Sequence, residues 1–596
     1  MEEWSVEEKV HNTGSGWRQI LAWLSALILV IGLACARRSA PLVTDISPQK
    51  WESHISELIM KAHIPGLSIA VIRDGKVAWA EAFGIKNNST GEPCDKETVF
   101  EAASLTKPLF AYLTMQVAAE GKLDLDKPLI EYLSEQVVAD SLLKHPFNQP
   151  GFRFDWFRKI TGRQILSHSS GMPHGESADS CYPLLFEPGT QHKYSADGYY
   201  YLQLVLEKME GAPLEKIAQR RALNPLGMTH SSLVWRENFE ETAANGHNMF
   251  GDPKGHRRWS RARAPASMYT TAEDYALFVC EILNRAHEAN PMITKMLTSQ
   301  IDIDVDDHLS WSLGFGRQKD ENGSAFWQWG DYGIFRNFII AYEESRSGVV
   351  WLTNSYYGLS VLDDLIMECV GGIYYVNNYI EADSYDSPNM RFTHMAMENG
   401  IDAAISEIPK LRSGDSPFMD EGTLSFLCRE LLYSKRSADA IPLYRFYTEE
   451  YRNSSDAWEG YAYGCLKGAQ FDSALTYYSR ALELNQNSRT ARNYVDWITI
   501  ELEARDGFAE LNHAYLAKFA GQYGPRQIRL QNDTLYYKRE GAGAPERYLY
   551  PLKLNLFGLQ GSPDWRFQFE TDENQNVIAI EGLTANGVAD RQEKVK

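Results

Sequence analysis

The residues to weigh first are a serine and a lysine three places apart. In "FEAASLTKPLF", Ser104 precedes Lys107, and Pro108 follows directly. On a helix such a pair shares one face, so the amine can reach the hydroxyl and take its proton, which is how a serine becomes an acyl-accepting nucleophile. The same spacing also suits an ordinary helix cap, and it recurs without evident chemistry at Ser47–Lys50 in "SPQK" and Ser141–Lys144 in "SLLK". Ser104 differs in its surroundings. A helix is expected after it, with Leu109, Leu113 and Val117 along one face and Gly121 as its stop. Pro108 falls in the first turn, where it is tolerated. A serine at a helix start lies beside unpaired N–H groups and the positive dipole end, both of which favour an oxyanion.

Two other stretches offer partners. "FEPGTQHKYSADGYYYLQLVLEKMEG" turns at Pro188-Gly189 before Tyr194, and an apolar run begins at Tyr199. "FWQWGDYGIFRNF" reads as a strand in which Gly330 permits close approach of another backbone. The elements that must gather these stretches are mixed. "WESHISELIMKAHIPG" has helical spacing and ends at Pro65-Gly66, and "LSIAVIRDGKVAWAEAFG" reads as two strands joined at Asp74-Gly75. Strands return near Ser310 in "WSLGFGRQ", "SAFWQWGDYG", "FRNFIIAYEE" and "SGVVWLTNS". One antiparallel sheet built from both ends of the region, with helices alongside, accounts for this order: an α+β domain.

In that context the motifs resemble the serine β-lactamase and penicillin-binding-protein superfamily, in particular its class C and DD-peptidase/esterase branch. "IPGLSIAVIRDGKV", "ILSHSSGMP", "PASMYTTAEDYALFV" and "GVVWLTNS" support it, in family order, from about Trp51 to Tyr379. The resemblance implies a β-lactamase-like fold and an acyl-enzyme on Ser104. It makes Lys107 the holder or relay of the proton and Tyr194 the acid/base partner. It assigns the oxyanion hole to the backbone N–H groups of Ser104 and Asp331, a device worth roughly 3–4 kcal/mol per donor. Ala196, Gln328, Trp329, Gly330 and Arg336 are the implied substrate-binding positions. Two of these depart from the family. Ala196 stands where Tyr-x-Asn has asparagine, and Gln328 stands where the Lys-Thr-Gly type motif opens with a cation. Asp197 or Asp331 is then a candidate acceptor and Arg336 a candidate cation, and efficient cleavage of penicillin-like acids is disfavoured. His168 in "SHSSG" falls at a structural position of the family, and "HRRWSRAR" (His256 to Arg263) reads as a solvated loop or a cleft rim.

The remaining chain suggests modules. The 596 residues exceed one core, and three folded units are expected. An export signal or membrane or lipid anchor is expected over 1–40: Ile20 to Ala36 is uncharged, slightly shorter than the roughly 20 residues of a spanning helix, and Cys35 follows "GLA" as in a loose lipoprotein box. Signal, anchor and lipoprotein all stay open, and each puts the rest of the chain outside the cytoplasm, on a periplasmic or extracellular face. The hydrolase-like domain is expected over 47–382. Residues 395–512 turn helical, with Ala440 and Tyr444 recurring as Ala474 and Tyr478, an offset of 34 that matches the tetratricopeptide repeat and offers a surface for a protein partner. Residues 518–596 alternate as a small antiparallel β-domain, similar to the module that ends many exported bacterial hydrolases.

A net charge of −20 excludes nucleic acid as a partner, since phosphate binding needs clustered cations. Seven scattered cysteines give neither a zinc site nor a disulfide scaffold, and no phosphate loop or nucleotide motif occurs, so no cofactor or metal is expected. Three functions follow: a serine hydrolase acting on an amide or ester, with D-residue peptides and small esters as the implied classes; a catalytically weakened ligand sensor; or a support for the helical repeats.

Overall fold

A computed structural model of the chain describes residues 48–138, 140, 152–174, 184–303, 305–320, 322–372, 375–412, 418–505, 511–540 and 545–595. The Ile20 to Ala36 segment and Cys35 lie outside the described residues. Among the described residues no helix is long and apolar enough to cross a membrane.

The chain separates into two compact units, residues 1–385 and 386–596. The first begins with helix α1 (Pro48–Lys61), whose buried stripe is Trp51, Ile55, Leu58 and Ile59. Strands β1 (Gly66–Arg73) and β2 (Lys76–Asn87) follow, joined at Asp74-Gly75. Both turn residues have positive φ, +51° and +70°, which is the backbone that matches the right-handed twist of a two-residue hairpin. The unit continues with β3 (Glu92–Pro93), β4 (Phe100–Ala103), α2 (Thr106–Ala119), α3 (Asp197–Glu210), β5 (Met268–Thr270) and α4 (Ala272–His287), among shorter helices. Strands β6 (Ile301–Asp302), β7 (Leu309–Trp311), β8 (Gly316–Asp320), β9 (Gly323–Asp331), β10 (Arg336–Tyr342) and β11 (Ser347–Thr353) complete it.

The main sheet runs β3-β2-β1-β11-β10-β9-β8-β7-β6, antiparallel throughout. The expected joining of both ends therefore occurs at β1 against β11, with Ile69 opposite Trp351. Every residue of β1 and of β11 is buried. Continuous apolar runs such as these, rather than alternating ones, are what a strand covered on both faces requires. Helix α4 packs on β1, β2 and β11. Helix α2 is buried on nearly every face, so it forms the spine of the unit's core.

In the second unit eight α-helices among the described residues, including α5 (Glu421–Tyr433), α6 (Ser437–Glu450), α7 (Ser455–Lys467), α8 (Phe471–Leu484) and α9 (Arg489–Arg505), precede an eight-stranded antiparallel sheet running in chain order from β12 (Gly521–Tyr523) to β19 (Gly587–Glu593). From α5 to α9 each helix packs on the next. Small residues let these helices pack: Ala440, Ala474 and Ala481 are fully buried, and a side chain at Gly460 would sit 2.4 Å from the Tyr444 ring. The helices and the sheet, expected as separate folded units, lie within one compact unit. A buried contact joins them. Arg566 of β17 (Ser562–Thr571) lies 3.1 Å from the Glu501 carboxylate of α9 and 3.8 Å above the Trp497 ring, and it donates to the Trp497 carbonyl at 2.6 Å.

Candidate active site

Ser104 sits where β4 ends and α2 begins. Ala103, immediately before it, holds φ at +50°, a left-handed conformation that costs a non-glycine residue roughly 1 kcal/mol or more. That bend turns the chain from strand to helix within two residues and lifts the Ser104 side chain out of the strand. Several bonds hold it. Thr106 Oγ1 donates to the Ala103 carbonyl (2.7 Å) and accepts from Met268 N (3.0 Å), and Tyr275 Oη donates to the Leu105 carbonyl (2.8 Å). Asn337 Nδ2 donates to the Glu101 carbonyl (3.0 Å) while its Oδ1 accepts from Thr353 N (3.0 Å), tying β4 to β10 and β11. Glu101 is buried and meets Arg257 at 2.9 Å, and Arg257 stacks 4.1 Å from the Tyr332 ring. The basic stretch expected as a solvated loop or cleft rim therefore contributes a brace to the nucleophile strand. No residue spacing announced that role.

Lys107 is 1% exposed, and its Nζ lies 3.0 Å from Ser104 Oγ and 2.9 Å from the Pro265 carbonyl, to which it donates. Burial brings the amine down to about 7, against the opposing charge of Asp197, itself buried at the first turn of α3. Near neutrality such an amine exists partly as free base, which an exposed lysine does not. Nζ also lies 4.8 Å from the centre of the Tyr194 ring.

Tyr194 arrives on the loop before α3, and the "SHSSGMP" stretch places it. His168, at φ +55°, accepts from Ser195 N at its Nδ1 (3.0 Å), and its carbonyl accepts from Lys193 N (2.8 Å). Its ring lies 4.2 Å from that of Tyr194. Ser195 Oγ donates to the Pro173 carbonyl (2.7 Å). Burial holds the His168 imidazole well below its ordinary range, so it is a neutral support, as its family position implied. The Tyr194 phenol accepts from Gln328 Nε2 at 2.9 Å, and burial pushes it well above the ordinary tyrosine range. Serine, lysine and tyrosine thus come together, from segments ninety residues apart in sequence.

The expected substrate-binding residues divide. Gly330 is forced by β4: a side chain there would lie 2.3 Å from the Ala102 carbonyl, and this contact sets the backbone of β9, including Asp331, against the strand ending at Ser104. Trp329 is half-buried, its ring 4.7 Å from Tyr194. Ala196 caps α3, its N–H donating to His174 Nδ1 at 3.1 Å, so a histidine that sequence reasoning passed over occupies the neighbourhood of the missing asparagine. Two further positions make contacts within the protein. Gln328 is fully buried, and its Nε2 donates to Tyr194 Oη (2.9 Å) and to the Trp329 carbonyl (3.1 Å), so it holds the tyrosine. Arg336, the candidate replacement cation, is engaged by the Asp331 carboxylate at 3.1 Å and lies 4.0 Å from the Tyr356 ring.

The family model described as "Beta-lactamase" matches residues 51–367. Among curated proteins, "Protein flp" of Staphylococcus aureus (strain MRSA252) is 24% identical over 338 residues, 52% of this chain and 64% of that protein. The "Beta-lactamase" of Pseudomonas fluorescens is 28% identical over 224 residues, 35% of this chain and 57% of that protein. The chain thus spans 64% of the length of the first curated relatives it matches. Among solved structures, a class C β-lactamase aligns with TM-score 0.47 at 20% identity, covering 55% of this chain and 96% of its own. The octameric penicillin-binding protein homologue from Pyrococcus abyssi aligns with TM-score 0.44 at 17% identity, covering 92% and 100%.

Proposed function

The chain belongs to the β-lactamase family, and on that premise we propose that it is a serine hydrolase that opens an amide or ester through an acyl-Ser104 intermediate. The observation that carries this reading is the 3.0 Å contact between Ser104 Oγ and a Lys107 amine that is buried beside the Tyr194 phenol. The roles follow from the proton each group can hold. Lys107, brought down to about 7, is the base that takes the Ser104 proton as Oγ bonds to the substrate carbonyl. The phenol, pushed upward by burial, keeps its proton at neutral pH and donates it to the leaving oxygen or nitrogen as that bond breaks. The proton held by Lys107 then returns to Tyr194, and water releases the acyl group. The N–H groups of Ser104 and Asp331 take the oxyanion. Small esters and D-residue peptides are the substrate classes this reading carries. The apolar Ile20 to Ala36 stretch supports an extracytoplasmic location, and a reporter enzyme active only after export, fused behind residue 47, tests it.

A fluorophosphonate probe tests the chemistry. Intact-mass analysis should find one adduct on the Ser104 peptide of the wild type and none on Ser104→Ala. Absence of an adduct on the wild type overturns the reading.

A further inference from the structure

Resting on that hydrolase reading, the geometry points to a substrate class: esters or amides that carry no charge near the scissile bond and place a flat apolar group in the corner between the Trp329 and Tyr379 rings, which stand at 76° to each other. Three independent observations lead there.

The first is that the cations in contact with Ser104 or its flanking strands are engaged within the protein, while Lys193, next to Tyr194, is exposed to water. Lys107 is buried and spends its donors on Ser104 and the Pro265 carbonyl. Arg336 is held by Asp331 and Tyr356, and Arg257 by Glu101 and Tyr332. A substrate carboxylate buried against Ser104 would lose its water while each of these cations stays with its present partner, which is costly in proportion to its burial.

The second is what Gln328 does in place of a cation. Its amide donates to Tyr194 Oη, so the phenol keeps its own proton for another acceptor. A neutral carboxamide keeps the tyrosine protonated without adding positive charge to the cleft. Gln328 is therefore a positioning residue, and it acts on substrate only through Tyr194.

The third is the aromatic wall. Tyr379 comes from the far end of the unit to lie 5.7 Å from the Trp329 ring, which itself lies 4.7 Å from Tyr194. Trp311 and Trp327 back this wall and are fully buried, whereas Trp329 and Tyr379 keep open surface. Half-open rings on a rigid buried support bind flat apolar groups, because little side-chain freedom remains to be lost.

The test uses the full chain and three esters: 4-nitrophenyl phenylacetate, its analogue with a para-carboxylate on the acyl ring, and 4-nitrophenyl acetate. The expected kcat/KM favours the phenylacetate over its carboxylate analogue by about tenfold or more, a difference set by the unpaired charge. Tyr379→Ala should raise KM for the phenylacetate relative to the acetate. Gln328→Lys should move the pH profile, because an ammonium beside Tyr194 Oη favours the phenolate. Equal kcat/KM for the charged and neutral phenylacetates on the wild type, with the Ser104 adduct present, overturns this inference and leaves the hydrolase reading intact. No turnover and no Ser104 adduct removes both.

Discussion

The two units of this chain each bury a cationic side chain almost completely, and they do so to opposite effect. In the first, Lys107 faces a hydroxyl and a carbonyl, and its charge is supported only by Asp197 at longer range. In the second, Arg566 meets the Glu501 carboxylate at 3.1 Å and lies flat on Trp497. Burial lowers both from their ordinary values. Lysine starts near enough to neutrality for that to release a free amine, whereas guanidinium stays charged and so needs its carboxylate. A buried cation paired with an acid is a joint. One paired with a hydroxyl is a base.

Substitutions should separate the two. The largest effect is expected for Ser104→Ala, which should lower kcat/KM by about 10⁴-fold or more, measured on any ester the wild type turns over. Lys107→Met should follow at about 10³-fold, with substrate KM little altered, because the base acts on the transition state and not on binding. Lys107→Arg should fare no better, since arginine cannot give up its proton at working pH. In the second unit Glu501→Ala strands Arg566 and should cost about 3–5 kcal/mol, read as a lowered unfolding midpoint with the Ser104 adduct still forming. Replacing both partners by leucine should recover much of that loss. If Glu501→Ala leaves the midpoint where it was, the joint is not what fuses helices to sheet.

The smallest and most diagnostic effect is on pH. Lys107 must be neutral to accept the serine proton, and burial places it at about 7. Below that value the amine is protonated, so kcat/KM should fall about tenfold per pH unit and level off above it. The phenol is pushed upward and adds no limb near neutrality. A profile flat from pH 5 to 8, within the precision such plots allow, would remove Lys107 as the base.

Legibility varied with how local the cause was. Asp74-Gly75 and Asn532-Asp533 announce their hairpins because each pair is made of residue types that adopt positive φ readily, as both pairs do here. Gly330 was readable as a close approach, though not as an approach to Ala102. Gln328 was readable only as a missing cation, and its hold on Tyr194 depends on a partner 134 positions away. The brace of Glu101 by Arg257 left no pattern at all, since ion pairs between distant segments carry no spacing.

By itself, the order of residues determined which groups were available: a hydroxyl and an amine one turn apart, a glycine where backbones touch, an alanine and a glutamine where the family has an amide and a cation. Those follow from helix periodicity and residue chemistry, which act over a few positions. Tertiary structure decided what the groups became. Only the folded chain removes water from Lys107, turns Gln328 inward onto Tyr194 and occupies Arg336 with Asp331, because desolvation and pairing depend on what surrounds a side chain in space.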